Sequence, residues 1–255
     1  MAVDKTLWDR RVFATFEDGY PCPRCGKGRV RQGSNKIVIE EPQHSKNQHG
    51  SDEWEPHWVD EAFTVLLTCD NTVCGEIVAV NGRASEEPFD QYGPDDEPMG
   101  TQYATVFRPA SLFPAPPLFP VSRKFPAKVQ AELRLAFQLY WADLSASASR
   151  LRTSLERVLD DKGIPATGVD KAGKPTRLTL FDRIDLFEKQ EKDADSAESM
   201  NALRVVGNLG THGDEVQLGD YFDLLEVYED ALLDIYEQKK ANLKAKKAAL
   251  MALKK

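Results

Sequence analysis

The sequence predicts an α+β protein, with a small β domain at the N-terminus followed by an α-helical bundle of four to five helices. Three observations carry this. All four cysteines fall among short β-like runs in the first third of the chain. A stretch rich in Pro, Gly and acidic residues follows, and from Phe125 onward the apolar residues recur with a helical period. These shifts divide the 255 residues into a β domain over 1–85, a connector over 86–124 and a helical bundle over 125–255.

In the first segment the β-like runs are Lys36 to Ile39, Ala62 to Leu67 and Ile77 to Val80. Between them, Glu40 to Asp60 is polar and reads as a protruding loop, with His44, His49 and His57 as solvated surface. The connector carries the prolines that end regular structure. Its apolar residues Leu112, Phe113, Leu118 and Phe119 predict an extended segment packed across a domain rather than a free linker.

The first helix is read from Val129, Leu133, Ala136, Phe137, Tyr140 and Trp141, which share one stripe. A second runs from about Ser145 to Asp161 and stops at Gly163, followed by Pro165. Residues 166 to 176 form a polar loop. Further helices are expected at Leu178 to Lys189, at Ala197 to Gly210, and from Leu218 to the C-terminus, where a Lys-rich end reads as a solvated helix terminus.

Two residues separate Cys22 from Cys25 and four separate Cys69 from Cys74, and each pair is closed by a glycine, Gly26 or Gly75. Two such turns supply the four thiolates of one tetrahedral site, which predicts a structural Zn2+ and makes the β domain a zinc ribbon with a long insertion. Four thiolates leave no open coordination position, so the metal is expected to hold the fold rather than to react. Arg24, Lys27, Arg29 and Arg31 cluster at the first turn and form a local basic patch suited to nucleic-acid phosphates.

The net charge of −8 excludes a globally basic surface, so any nucleic-acid contact must be local. No apolar run is long enough to cross a membrane, and no secretory leader is evident, which predicts a cytoplasmic protein without membrane partners. Reduced cytoplasmic thiols favour metal binding over disulfides. No Gly-rich phosphate loop, Ser-His-Asp order or paired-carboxylate signature appears, which argues against an ordinary hydrolase or kinase.

Within Leu203-Arg204-Val205-Val206-Gly207-Asn208-Leu209-Gly210-Thr211-His212, the side chains of Arg204, Asn208 and His212 stand at successive i, i+4 positions on one helical face. Each interior glycine lowers helix stability by about 1 kcal/mol, which close packing or a ligand must offset. Together with Phe125-Pro126, Leu151-Arg152, Leu155-Glu156 and Leu180-Phe181-Asp182-Arg183-Ile184, this stretch resembles the bacterial family of domains of unknown function DUF4145. That family is similar to the HEPN superfamily (higher eukaryotes and prokaryotes nucleotide-binding), and the likeness spans roughly Phe119 to Glu237.

The resemblance implies a dimerising helical domain from a group rich in RNA-cleaving and phage-defence proteins. Three functions follow as expectations. The protein binds RNA, DNA or nucleotides; or it is a metal-independent ribonuclease using Arg204 and His212 across a homodimer; or it is a non-catalytic interaction scaffold. As a ribonuclease, His212 would be the general acid or base and Arg204 would stabilise the phosphorane charge. The positions where the family's usual Arg would fall hold Val206, Gly207 and Asn208, and Asn208 supplies no positive charge. The alternative for this face is structural, with Arg204 paired to an acid such as Glu156 and with Asn208 and His212 capping the helix end.

Overall fold

The computed structural model describes residues 5–92, 97–170, 172–212 and 216–252. They form two compact units that divide between Pro117 and Leu118.

The N-terminal unit is built on one antiparallel sheet of β1 (Val12–Phe13), β2 (Tyr20–Pro21), β3 (Arg29–Arg31), β4 (Val38–Glu40), β5 (Asp60–Cys69), β6 (Ile77–Tyr92) and β7 (Pro98–Phe113). Its order is β1-β7-β6-β5-β3-β2, with β4 also paired to β5. Along β5 the burial alternates strictly, with Phe63, Val65, Leu67 and Cys69 inward, because successive strand side chains face opposite sides. Val78, Val80, Ala84, Val106, Phe107 and Leu112 complete that face on β6 and β7. Aromatic rings close it, with Phe63 edge-on to Phe107 at 4.9 Å between centroids and Trp8 stacked on Tyr20 at 5.5 Å.

The segment expected as a connector differs most from its sequence reading. Residues 86–113 belong largely to β6 and β7, which pair from Ala79↔Phe113 to Tyr92↔Pro98. The prolines that suggested a linker sit where a strand tolerates them. Pro109 lies opposite Gly82 at a bulge where β7 has one extra residue, and Pro88 lies beyond the end of β5, where β7 is the one strand paired to β6 among the described residues. Gly82 is required at that bulge, because a Cβ there would stand 2.1 Å from the Arg108 carbonyl oxygen. A Gly82→Ala variant is expected to lose about 1–3 kcal/mol of stability in the β unit through this overpacking, read as a lowered urea midpoint.

The polar insertion also folds rather than protrudes as a loop. It contains α1 (Gln43–Lys46) and two single 3-10 turns at Asn47–Gly50 and Pro56–Trp58. Buried Ser45 anchors it by donating to Glu41 at 2.6 Å and accepting from the Asp60 backbone N–H at 3.2 Å.

The second unit contains α2 (Ala127–Leu139), α3 (Leu144–Asp161), the hairpin β8 (Thr167–Val169) and β9 (Pro175–Arg177), α4 (Leu180–Glu191), α5 (Ala194–His212), α6 (Leu218–Glu237) and α7 (Lys239–Ala252). Six helices are thus described where four or five were expected. The long C-terminal helix is broken at Gln238, which adopts a left-handed φ of 54° and starts α7 as a separate, exposed helix. Residues 166 to 176, read as a loop, hold the β8–β9 hairpin.

The helix boundaries have local causes. Asp143 caps α3 by accepting from the Ala146 backbone N–H at 2.9 Å. Thr179 and Asp182 form a reciprocal capping box at the start of α4, and hydrogen bonds from the Thr179 hydroxyl and N–H hold the Asp182 carboxyl below its ordinary range. The apolar stripe of α2 is buried as its period requires, and Tyr140 and Trp141 beyond its end are fully buried. Two buried polar pairs tie α3 to α6, Ser147 to Tyr221 at 2.5 Å between oxygens and Ser154 to Tyr228 at 2.8 Å. Both partners advance by seven residues, so these helices run in the same direction with two turns in register.

Candidate functional site

The four cysteines converge at one end of the sheet. Cys22 and Cys25 lie in the turn between β2 and β3, Cys69 ends β5, and Cys74 lies in the turn between β5 and β6. The β3–β5 ladder joins the two turns, with Val30 opposite Cys69. Each turn is closed by backbone hydrogen bonds. The Gly26 N–H donates to the Cys22 carbonyl at 3.0 Å, and the Gly75 N–H to the Asn71 carbonyl at 3.0 Å. Both glycines have the positive φ such turns need, 60° and 58°. Asp70 links the turns in both directions, donating its N–H to the Arg29 carbonyl at 2.9 Å and accepting the Arg29 N–H at 2.8 Å.

All four Sγ atoms lie within 4.8 Å of one another. Cys22 and Cys74 are 3.7 Å apart and Cys25 and Cys69 3.8 Å apart. A tetrahedral ion with metal–sulfur bonds of about 2.3 Å requires sulfur edges of about 3.8 Å, whereas a disulfide requires about 2.05 Å. The quartet therefore has the dimensions of a metal site and contains no disulfide.

The electrostatics are mixed. Backbone N–H groups of Gly28 and Lys27 directed at Cys25 lower its thiol to about 6, and Gly28 N stands 3.4 Å from that sulfur. Burial raises the Cys22 and Cys69 thiols. A bound cation would compensate the buried thiolates.

The histidines of the insertion stand beside carboxylates. His49 Nε2 is 2.8 Å from Glu41, His57 Nδ1 is 3.0 Å from Glu55, and His44 Nε2 is 3.8 Å from Asp60.

Of the basic patch, Lys27 and Arg24 are exposed, and Arg24 lies 3.7 Å from Glu76. Arg29 and Arg31 are half-buried and engaged by neighbouring groups. Arg29 donates to the Asp18 and Gly19 carbonyls at 2.8 and 2.6 Å, and Arg31 pairs with Asp70 at 3.3 Å while also donating to the Glu17 carbonyl. Both arginines fasten the chain before β2 to the cysteine turns.

In the helical unit, α5 carries Arg204 and Asn208 on one face, both half-buried. Arg204 lies across the ring of Phe181, with its guanidinium carbon 5.3 Å from the centroid, and its Nε donates to Asn201 at 3.1 Å. Glu156, the acid expected beside Arg204, instead accepts from Arg152 at 3.3 Å. Phe181 carried no site role on sequence grounds, because it reaches Arg204 from another helix. His212 closes α5, and its side chain lies outside the described residues. Gly207 allows α3 to approach, since a Cβ there would stand 2.9 Å from the Arg152 Cβ, and this packing offsets its cost in helix propensity.

This helical segment has a match. Residues 134–252 fit the family model described as Domain of unknown function (DUF4145). The resemblance read from Phe119 to Glu237 thus agrees with the match over most of its length, and the model extends it into α7. Residues 14–113 fit a second model, Domain of unknown function (DUF8608), which takes in β2 to β7 and all four cysteines. No curated protein and no solved structure matches the chain.

Proposed function

We propose that the protein is a zinc-ribbon protein whose HEPN-like helical domain binds nucleic acid or nucleotides, with bacterial phage defence as the setting that likeness implies. The observation that carries the binding role is the Arg204–Phe181 pair, in which a guanidinium overlies a ring that remains 53% exposed. An exposed aromatic face stacks on any base, and an adjacent guanidinium adds attraction for phosphate, so the pair suits unpaired bases better than duplex. The metal in this reading is Zn2+, because four thiolates at tetrahedral spacing suit a soft-tolerant ion with no geometric preference of its own. Its role is to hold the two cysteine turns together.

Binding of labelled single-stranded RNA at about 50 and 200 mM salt tests the reading, because phosphate contacts weaken steeply with salt. Phe181→Ala is expected to weaken binding about tenfold, in line with about 1–3 kcal/mol per stacked base. Arg204→Ala is expected to weaken it and also flatten the salt dependence. Absence of RNA binding at the lower salt would contradict the proposal.

A ribonuclease reading keeps one supporting observation, the continuity of α5 from Ala194 to His212, which places Arg204, Asn208 and His212 on one helix. Its test is cleavage of total RNA by the purified protein. Activity lost in His212→Ala would support it, and an inert wild type would dismiss it.

A further inference from the structure

We propose that the helical unit holds a second site, a cleft built to take a phosphate monoester carried by a small molecule. The cleft has a volume of about 530 Å³ and lies where the C-terminal half of α3, the end of the β8–β9 hairpin and the start of α4 meet. That size falls in the range of about 300–1,000 Å³ typical of small-molecule sites. It does not depend on the stacking role of Phe181.

Charge defines the ligand. Arg152, Arg157, Arg177 and Arg183 line the cleft against Glu156 and Asp160, so the lining itself is positive, and Glu132 behind it reaches Arg157 at 3.6 Å. Both lining carboxylates are committed. Asp160 accepts from Arg183 at 2.7 Å and from Arg157 at 3.2 Å, and Glu156 accepts from Arg152 at 3.3 Å. Donor capacity nevertheless remains. Arg183 is 5% exposed, yet its Nε has no partner, and the buried Nε of Arg152 has none either. Buried guanidinium N–H groups are seldom left unpaired, and such an orphan points to a missing acceptor. Arg177 is exposed and its side chain makes no hydrogen bond or ion pair among the described residues, so it is available to close over a ligand.

A phosphate monoester carries about two negative charges near neutral pH, more than a diester offers to this positive lining, and its three terminal oxygens suit the planar forks of several arginines. A diester of the nucleic-acid backbone carries one. Leu178 and buried Leu180 form an apolar wall on which the organic body of the ligand can rest.

Isothermal titration of the full-length protein with adenosine monophosphate, cyclic adenosine monophosphate and adenosine tests this assignment. The monoester is expected to bind, the cyclic diester at least about tenfold more weakly, and adenosine without measurable heat. Affinity for the monoester is expected to fall as pH drops below about 6, where its second proton returns. Arg177→Ala, at an exposed position that leaves the fold intact, is expected to raise the dissociation constant about tenfold. No binding of the monoester, equal affinity for monoester and diester, or unchanged affinity in Arg177→Ala would each overturn the proposal. A marked preference for a 5′-phosphorylated oligonucleotide over the mononucleotide would overturn its assignment to a small molecule.

Discussion

Cys69→Ser lowers the unfolding midpoint of the β unit by at least about 20 °C and leaves the helical far-ultraviolet signal in place. The expectation follows from where Cys69 stands. It ends β5, is 5% exposed, and pairs in register with Val30 of β3, so a metal bound by its sulfur would tie the sheet to the first cysteine turn. The neighbouring strands are too short to hold that turn alone, β2 with two residues and β3 with three. Structural zinc contributes about 10–16 kcal/mol in small zinc modules, comparable to or above the whole stability of an ordinary domain. Loss of about 5 kcal/mol already shifts a unit of this size by about 20–40 °C. Differential scanning calorimetry of wild type, Cys69→Ser and chelator-treated protein checks it, and coincident midpoints would show that the sheet stands without the metal.

Tyr228→Ala is the most damaging expected change in the helical unit, at about 3–5 kcal/mol. The ring is 1% exposed between α6 and α3, and its removal leaves an aromatic-sized cavity. Tyr228→Phe separates packing from hydrogen bonding. It keeps the ring and removes one bond to Ser154, whose hydroxyl still donates to the Leu151 carbonyl at 2.6 Å, so about 1 kcal/mol is expected. Denaturant titration of both variants, followed by helical circular dichroism, gives the comparison. Equal losses would show that the Ser–Tyr pair, not burial, dominates.

Features governed by local chemistry were legible in the sequence. The α2 stripe reads directly because helical spacing brings Val129, Leu133, Ala136 and Phe137 to one buried face. The cysteine quartet reads because each pair needs a tight turn closed by glycine. Features set by long-range pairing were hidden. Prolines and acidic residues from 86 onward imitate a linker, yet Pro109 is accommodated by a bulge facing Gly82, a relation visible once β6 and β7 are in register. Periodicity could not place the break at Gln238, where neither Gly nor Pro announces the left-handed residue.

The candidate sites divide in the same way. Arg29 and Arg31 looked free in a basic run, but folding turns them onto the backbone carbonyls of Glu17, Asp18 and Gly19. The partner of Arg204 is an aromatic ring rather than the acid that helix spacing suggested. The arginine cleft draws on α3, β9 and α4, so no single stretch of sequence displays it.

The central claim is that Cys22, Cys25, Cys69 and Cys74 together hold one zinc ion. X-ray absorption at the zinc edge of the purified protein, with metal content measured on the same sample, tests it most directly. The account predicts one zinc per chain with four sulfur neighbours at about 2.3 Å and no lighter scatterer in the shell. A shell containing nitrogen or oxygen, or protein that stays folded with no metal and four titratable thiols, would contradict it.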